Sequence, residues 1–223
     1  MIGLGRRIRE ADAYVRSGAF QGWRPHLYGL GLAGAKVGYV GLGAIGRAIA
    51  RALEGFGTQR RYVDPAVEDA PGLERMHNLQ ALLGWSDYVV LCAPLTTSSL
   101  HLIDRSALGH VQPHALLINP ARGSLVDETA VLDALQSGRL GGYAADVFEF
   151  EDWARANRPR KISAGLLTHP ATLFTPHLGS AVASIRRAIE LAAADNIVDA
   201  FSGRVPRDAL NPTARRVRSS GSC

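Results

Sequence analysis

One arginine lies where its side chain could bind a small anion. Arg122 belongs to the polar segment 119–124, which overlaps the end of the apolar run 115–119. A guanidinium holds an oxyanion through two parallel hydrogen bonds, a geometry that the ammonium of lysine cannot reproduce. An interpretation of equal weight is a structural pair between this arginine and a neighbouring carboxylate. Arg122 is therefore a candidate anion-binding residue.

A histidine and several carboxylates follow two further apolar runs. Glu149, Glu151 and Asp152 come after the run 141–148, and His177 comes after the next one. A carboxylate beside an imidazole orients the ring and stabilises its charged form, which makes the histidine a competent general base. Spacing alone does not show that these side chains touch. The other six histidines are interpreted as structural.

These side chains converge only if the apolar runs are parallel strands. Runs such as 88–92 and 115–119 are apolar throughout, as strands buried on both faces are. Asp127 is a suitable N-cap and Gly138 a suitable end for the helix between them. Predicted strands are 36–40, 58–63, 88–92, 115–119, 141–148 and 172–175, and helical segments are 44–56, 78–84, 104–109 and 127–137. The pattern predicts an α/β fold, a doubly wound parallel sheet of the Rossmann type.

Three glycines lie at the turn from the first predicted strand into the first predicted helix. Gly41 permits the tight turn, Gly43 lets the backbone approach a pyrophosphate, and Gly46 lets the helix pack closely on the strand. Asp64 follows the second strand, where a carboxylate accepts hydrogen bonds from ribose hydroxyls and repels a 2′-phosphate. The arrangement predicts an NAD site. The alternative is an ordinary strand-to-helix turn of another α/β protein.

Two helical segments flank this pattern. The first runs from the start of the chain to about Ser17, and the last covers 181–202. The last segment carries an apolar stripe at helical spacing, formed by Val182, Ile185, Ile189, Ala193, Ile197 and Phe201. A stripe of this length needs an apolar partner surface, so we expect an exposed face that favours pairing or aggregation.

Composition favours a globular chain that acts on a small molecule. Of 223 residues, 47% are hydrophobic and 20% charged, and no apolar stretch is long enough to span a bilayer, which favours a cytoplasmic location. The two cysteines, Cys92 and Cys223, have no metal-ligand spacing and predict no disulfide. The net charge of +5 is concentrated in 203–223, which holds five arginines and one aspartate. This pattern predicts a disordered basic tail and neither a nucleic-acid nor a membrane partner.

Four segments together resemble the D-isomer-specific 2-hydroxyacid dehydrogenases. They are 41–46, 119–128, 142–151 and 175–180. Within that family the chain looks like the phosphonate dehydrogenases, which oxidise phosphite to phosphate with NAD. The segments that favour this subgroup are 20–23, 141–148, 151–153 and 158–160. Most relatives have proline after the catalytic glutamate, whereas this chain has Asp152.

The resemblance implies roles for individual residues. Arg122 would bind the anionic substrate, His177 would be the base, and Glu151 would be the acid that orients it. Glu149 lies two residues away, and periodicity does not choose between the two glutamates, whereas the family pattern selects Glu151. Substrate-lining positions would be Arg186, Trp23 and Tyr28. The cofactor site would comprise Gly41, Gly43, Ala44, Ile45, Gly46, Asp64, Pro94 and Asp146, with no metal.

The resemblance also implies a domain organisation. Residues 1–29 would be a linker helix and remnant of a substrate domain, 30–178 the NAD-binding domain, 179–205 a C-terminal helix of the substrate domain, and 206–223 the tail. Family members have about one hundred residues before the position of Met1, so we expect a half-open active site and a homodimer. The expected activity is phosphite oxidation. The alternatives are a D-2-hydroxyacid dehydrogenase and a non-catalytic NAD-binding fragment.

Overall fold

The sheet of this protein is fully parallel and has seven strands. The computed structural model describes residues 1–24 and 26–211. The strands are β1 (Lys36–Val40), β2 (Gln59–Val63), β3 (Glu74–Arg75), β4 (Tyr88–Leu91), β5 (Leu116–Asn119), β6 (Gly142–Ala145) and β7 (Thr172–Phe174). Their spatial order is β3-β2-β1-β4-β5-β6-β7. The order reverses between β1 and β4, which is where an open α/β sheet forms a ligand crevice.

Eight α-helices accompany the strands within the described residues. They are α1 (Ile2–Gly5), α2 (Ile8–Arg16), α3 (Ala44–Ala52), α4 (Leu79–Trp85), α5 (Arg105–Leu108), α6 (Glu128–Gln136), α7 (Ala164–Thr168) and α8 (Ala183–Phe201). Short 3₁₀ helices form at Glu54–Phe56, Gly123–Leu125 and Glu149–Glu151. None of the described helices is both long and apolar enough to cross a membrane.

Both faces of the sheet are covered, as the apolar strands predict. One core cluster joins the sheet to α4, α5, α6 and α7, with fully buried Leu82, Val131 and Leu166 among its members. The other lies on the opposite face, where Ala50 of α3 and Leu4 of α1 pack. The predicted doubly wound α/β fold is confirmed.

Local capping sets the ends of α6 as expected. The Asp127 carboxylate accepts from the backbone N–H groups of Thr129 and Ala130, both at 3.0 Å. Gly138 follows the helix with a left-handed φ of 70°, and its N–H donates to the carbonyl of Leu135. The carboxylate satisfies exposed amides and the glycine adopts a conformation that costs other residues energy.

The first predicted helix is interrupted in the structure. Arg7 separates α1 from α2 with a left-handed φ of 53°. Gly5 ends α1 in close contact with the sheet, because a Cβ at this position would lie 2.3 Å from the Tyr88 hydroxyl. The expectation of one continuous helix to Ser17 is wrong, since close packing of α1 on the sheet requires the chain to turn there.

The chain divides into two compact units, Met1–Pro176 and His177–Cys223. The first contains residues 1–29 together with the whole sheet, and the second contains α8. The apolar side chains of α8 are exposed, but they are not confined to the predicted stripe, because Leu191 and Val198 are as exposed as Ile185. Of the predicted tail, residues 212–223 lie outside the described part of the chain, and the domain boundaries themselves stay predictions.

Candidate active site

The glycine turn between β1 and α3 has the geometry expected for binding a phosphate. Gly41 has a φ of 89°, and a Cβ there would lie 2.7 Å from the Ala93 nitrogen. A Cβ on Gly46 would lie 2.8 Å from the Gly41 carbonyl oxygen, so this glycine allows α3 to pack against the turn. Gly43 is the N-cap of α3, faces open space and provides no side-chain cap for the helix amides. Open amides at a helix N-terminus favour an anion.

Asp64 is fixed beside the glycine turn by three backbone amides. Leu42 N–H donates to its Oδ2 at 2.7 Å, and the N–H groups of Ala66 and Val67 donate to its Oδ1 at 2.8 and 3.1 Å. The carboxylate lines a cavity of about 640 Å³ that also includes Gly41, Gly43 and Pro94. Open space at Gly43, capless helix amides and a held carboxylate in one cavity fit a dinucleotide.

A second cavity, of about 580 Å³, joins the glycine turn to the anion-binding candidate. It is lined by Gly43, Ala44 and Ile45 on one side, by Pro94, and by Arg122 and Asp152 on the other. These residues belong to the segments that follow the carboxyl ends of β1, β4, β5 and β6, which meet at one edge of the parallel sheet. The structure thus brings Arg122 to the same cavity as the predicted cofactor loop.

The backbone of Arg122 is held and its side chain is exposed. Asn119 Nδ2 donates to the Arg122 carbonyl oxygen at 2.9 Å, and Arg122 Nη1 donates to the carbonyl of Ala121 at 2.7 Å. Across residues 1–24 and 26–211, no carboxylate forms an ion pair with Arg122. The structural ion-pair interpretation therefore finds no support among the described residues, and Arg122 lines the cavity as an exposed cation.

The two candidate glutamates occupy different environments. Residues Glu149–Glu151 form a 3₁₀ helix, so the side chains of the two glutamates do not share a face. Glu149 is buried, whereas Glu151 is half-buried and accepts a hydrogen bond from Phe148 N–H at 2.8 Å. Of the two, Glu151 is the more accessible for a catalytic role.

Glu149 pairs with a second buried carboxylate, Glu128. Each glutamate accepts the other's backbone N–H, at 3.0 Å to Glu149 Oε1 and 2.8 Å to Glu128 Oε1. Burial, reinforced by the charge of Glu149, raises the pKa of Glu128 from 4.5 to about 7. Glu149 Oε2 instead contacts two nitrogen donors, His101 Nε2 at 2.9 Å and Arg155 Nη1 at 3.0 Å. His101 thus has the structural role predicted for it.

His177 and Arg186 belong to the second unit. His177 is its first residue, is exposed and has a left-handed φ of 56°. Arg186 lies in the first turn of α8, which begins at Ala183. Their proximity to Arg122 stays a prediction.

Three other expected site residues are not among those that line the cavity beside Arg122. Trp23 is 88% exposed, and Tyr28 lines a separate cavity of about 370 Å³ at the amino ends of β5–β7. Asp146 follows β6 and accepts a hydrogen bond from the Thr175 hydroxyl. The structure does not bring Trp23 or Tyr28 together with Arg122, and all three roles stay predictions.

Two residues of the cofactor cavity were missed by sequence reasoning. Arg75 lies in β3, whose two residues give no periodic signal, and its Nη2 donates to the Asp64 carbonyl at 3.2 Å. Cys92 follows β4 and lines both large cavities. Burial raises the pKa of its thiol to about 12, so the side chain is neutral near the expected path of the cofactor.

The fold and site define an NAD-binding domain of a dehydrogenase. The family described as "D-isomer specific 2-hydroxyacid dehydrogenase, NAD binding domain" matches residues 1–179. The chain belongs to this family, and the predicted NAD cofactor is supported by the match.

Several relatives have names that describe activity on short 2-oxo acids. A glyoxylate reductase of Thermococcus litoralis is 34% identical over 95% of this chain. A glyoxylate/hydroxypyruvate reductase B of Serratia proteamaculans is also 34% identical over 95%. The solved NADPH-dependent glyoxylate/hydroxypyruvate reductase of Sinorhizobium meliloti aligns with a TM-score of 0.84 and 32% identity, covering 96% of this chain.

The chain is shorter than these relatives. It spans 64% of the length of the Thermococcus enzyme, 65% of the Serratia enzyme and 66% of the solved Sinorhizobium chain. Their names favour the broader 2-hydroxyacid dehydrogenase interpretation over phosphonate dehydrogenase.

Proposed function

We propose that this chain is the catalytic part of an NAD-dependent oxidoreductase that interconverts short 2-hydroxy acids and 2-oxo acids. The observation that carries the proposal is the shared cavity, which Arg122 and the glycine turn at Gly43 both line. A guanidinium and an NAD site at one crevice suit an anionic substrate that exchanges a hydride. The names of the relatives support the same substrate class.

In this proposal each candidate residue has a distinct task. Arg122 binds the substrate carboxylate through two parallel hydrogen bonds. His177 takes the hydroxyl proton during oxidation and returns it during reduction, while Glu151 orients the imidazole and stabilises its charge. NAD, when bound, supplies or accepts the hydride. The residues of the chain therefore bind, orient and move a proton.

Phosphite oxidation is the second candidate activity. It rests on the resemblance of the segments 151–153 and 158–160 to the phosphonate dehydrogenases. In this reaction the hydride leaves phosphorus as a P–H bond breaks, and a water oxygen forms the new P–O bond after His177 takes its proton. Arg122 would bind the phosphite oxygens.

A substrate panel tests these activities. The purified chain would be assayed for NADH formation with D-lactate, D-glycerate, glycolate and phosphite, and for NADH consumption with glyoxylate and hydroxypyruvate. Turnover of the organic acids supports the main proposal, and turnover of phosphite alone supports the second candidate. Thermal stabilisation by NAD without turnover of any substrate would contradict both and identify a non-catalytic NAD-binding chain.

A further inference from the structure

Arg122 lies between two anchored residues. On its amino-terminal side, Asn119 at the end of β5 binds the Arg122 carbonyl and accepts from the Ala121 N–H at 3.1 Å. On its carboxyl-terminal side, Ser124 is fully buried within the 3₁₀ helix Gly123–Leu125. The direction of the Arg122 side chain therefore depends on how firmly Ser124 is held.

Two side chains from the segment after β6 hold Ser124. Asp152 Oδ2 accepts from its backbone N–H at 2.7 Å. Arg155 Nη1 donates to its hydroxyl oxygen at 2.5 Å. The backbone amide and the hydroxyl of one buried serine are thus both bound by charged groups, and such hydrogen bonds are stronger than neutral ones.

Glu149 holds Arg155 in turn. Its buried carboxylate lies 3.0 Å from Arg155 Nη1 and also accepts from the Glu128 N–H at the start of α6. Gly123 packs directly against the same segment, since a Cβ on it would lie 1.9 Å from the Phe148 carbonyl carbon. The turn that carries Arg122 and the turn that carries Glu151 therefore form one bonded assembly.

We propose that Asp152 and Arg155 are positioning residues that fix Arg122 towards an anionic substrate by clamping Ser124. This inference rests on the proposed role of Arg122 in anion binding. It assigns a task to Asp152 and Arg155, which follow the 3₁₀ helix Glu149–Glu151. Asp152 and Arg122 line the same cavity. A displacement of Asp152 or Ser124 would therefore change the position of Arg122 where the anion would bind.

Three variants test the clamp. Asp152→Ala removes the acceptor of the Ser124 N–H, Ser124→Ala removes the oxygen that Arg155 binds, and Asp152→Asn keeps an acceptor oxygen in place. Asp133→Ala is the matched control, because it deletes a carboxylate bonded to Arg105 on the surface. Binding of oxamate and of phosphite, each in the presence of NADH or NAD, would be measured by calorimetry beside KM and kcat.

We expect Asp152→Ala and Ser124→Ala to weaken anion binding roughly tenfold, with NAD binding unchanged, because small misplacements of a binding group cost large factors. Asp152→Asn recovers most of the affinity, and Asp133→Ala retains it. Hydrogen exchange of the peptide containing Ser124 accelerates in Asp152→Ala but not in Asp152→Asn.

A double-mutant cycle separates positioning from general stability. In the background of Arg122→Met, Asp152→Ala should change the residual anion affinity by less than about twofold, because the group that it positions is gone. Equal tenfold losses in both backgrounds would overturn the proposal, as would anion binding by Asp152→Ala at the wild-type affinity. If the wild-type chain binds an anion but does not turn over, only the proposed function fails. If it binds neither anion, both proposals fail.

Discussion

At the scale of single residues, the charged side chains of the candidate site differ in how firmly the fold holds them. Asp64 receives three backbone amides and Asp152 receives one, so both carboxylates are held by the fold itself. Arg122, by contrast, has its backbone fixed and its side chain exposed. A cation in this state is available to a ligand, and its place after a strand could be read from the sequence, whereas its role in binding an anion stays a prediction.

Replacing Arg122 with lysine should lower kcat/KM for the accepted anion between 10- and 100-fold. Lysine keeps the charge but loses the paired hydrogen bonds, a difference of about 1.5–3 kcal/mol. Steady-state kinetics with NAD affinity measured in parallel provides the check, and Arg105→Lys, an exposed arginine bound to Asp133, is the control. Unchanged kcat/KM in Arg122→Lys would remove this residue from the site.

The buried Glu128 predicts a pH-dependent stability. Its carboxyl ionises near 4.5 when unfolded and near 7 when folded, so between these values the folded state binds more protons and stability falls as pH rises. Glu128→Gln keeps the oxygen that accepts from Glu149 N–H but does not ionise. Between pH 4.5 and pH 8 the variant should gain on the order of 2 kcal/mol relative to wild type. Denaturant unfolding at several pH values measures this gain, and a constant difference would contradict it.

At the scale of elements, strongly patterned segments were predictable and short ones were not. The strand β1 has the bounds expected from its apolar run, and Asp127 caps α6 as predicted. The two residues of β3 and the 3₁₀ helices Gly123–Leu125 and Glu149–Glu151 were missed, because they are too short to show a period and depend on tertiary contacts. The predicted strand 141–148 ends at Ala145, since the chain must then turn so that Phe148 meets Gly123.

The same contrast applies to the candidate site. The glycine turn, Asp64 and Arg122 are local signals at strand ends, and the structure brings them to adjoining cavities. The roles of Asp152 and Arg155 depend on contacts with Ser124, about thirty residues away in the chain. Such contacts between distant segments have no signature in the spacing of residues.

Two glycines of the turn should respond differently to alanine. A Cβ on Gly43 meets nothing within 4 Å, so Gly43→Ala should unfold as wild type but bind NAD at least about tenfold more weakly, because the methyl group occupies the phosphate approach. Gly41→Ala should instead lose roughly 2 kcal/mol or more of stability from its left-handed backbone and its contact with Ala93. Thermal unfolding and NAD titration separate the two effects. Equal NAD binding by wild type and Gly43→Ala would contradict a phosphate site at the glycine turn.

At the scale of the whole molecule, the chain covers its relatives only in part. It matches the NAD-binding domain over residues 1–179 and spans about two thirds of the relatives' length. The sheet and both core clusters lie within the first unit, which explains why the fold is intact across this span.

The exposed apolar side chains of α8 predict self-association. We propose that two copies form a homodimer and that contacts between α8 helices join dimers into larger assemblies. Ile185 and Ile189 are about half exposed and Phe201 is almost fully exposed, which leaves apolar surface for such contacts. The double variant Ile185→Ser, Ile189→Ser should shift the chain towards the dimer in sedimentation velocity, whereas Glu190→Gln on the same helix should not. An identical distribution in wild type and the double variant would contradict a role for this face.

The central claim is that one crevice holds both the cofactor and the anion, with Arg122 as the cationic group. A crystal structure of the chain with NAD and oxamate tests this claim most directly. The account predicts the pyrophosphate at the amides that follow Gly43 and the oxamate carboxylate paired with the guanidinium of Arg122. Oxamate bound at another surface, or an Arg122 side chain turned away from the occupied cavity, would contradict it.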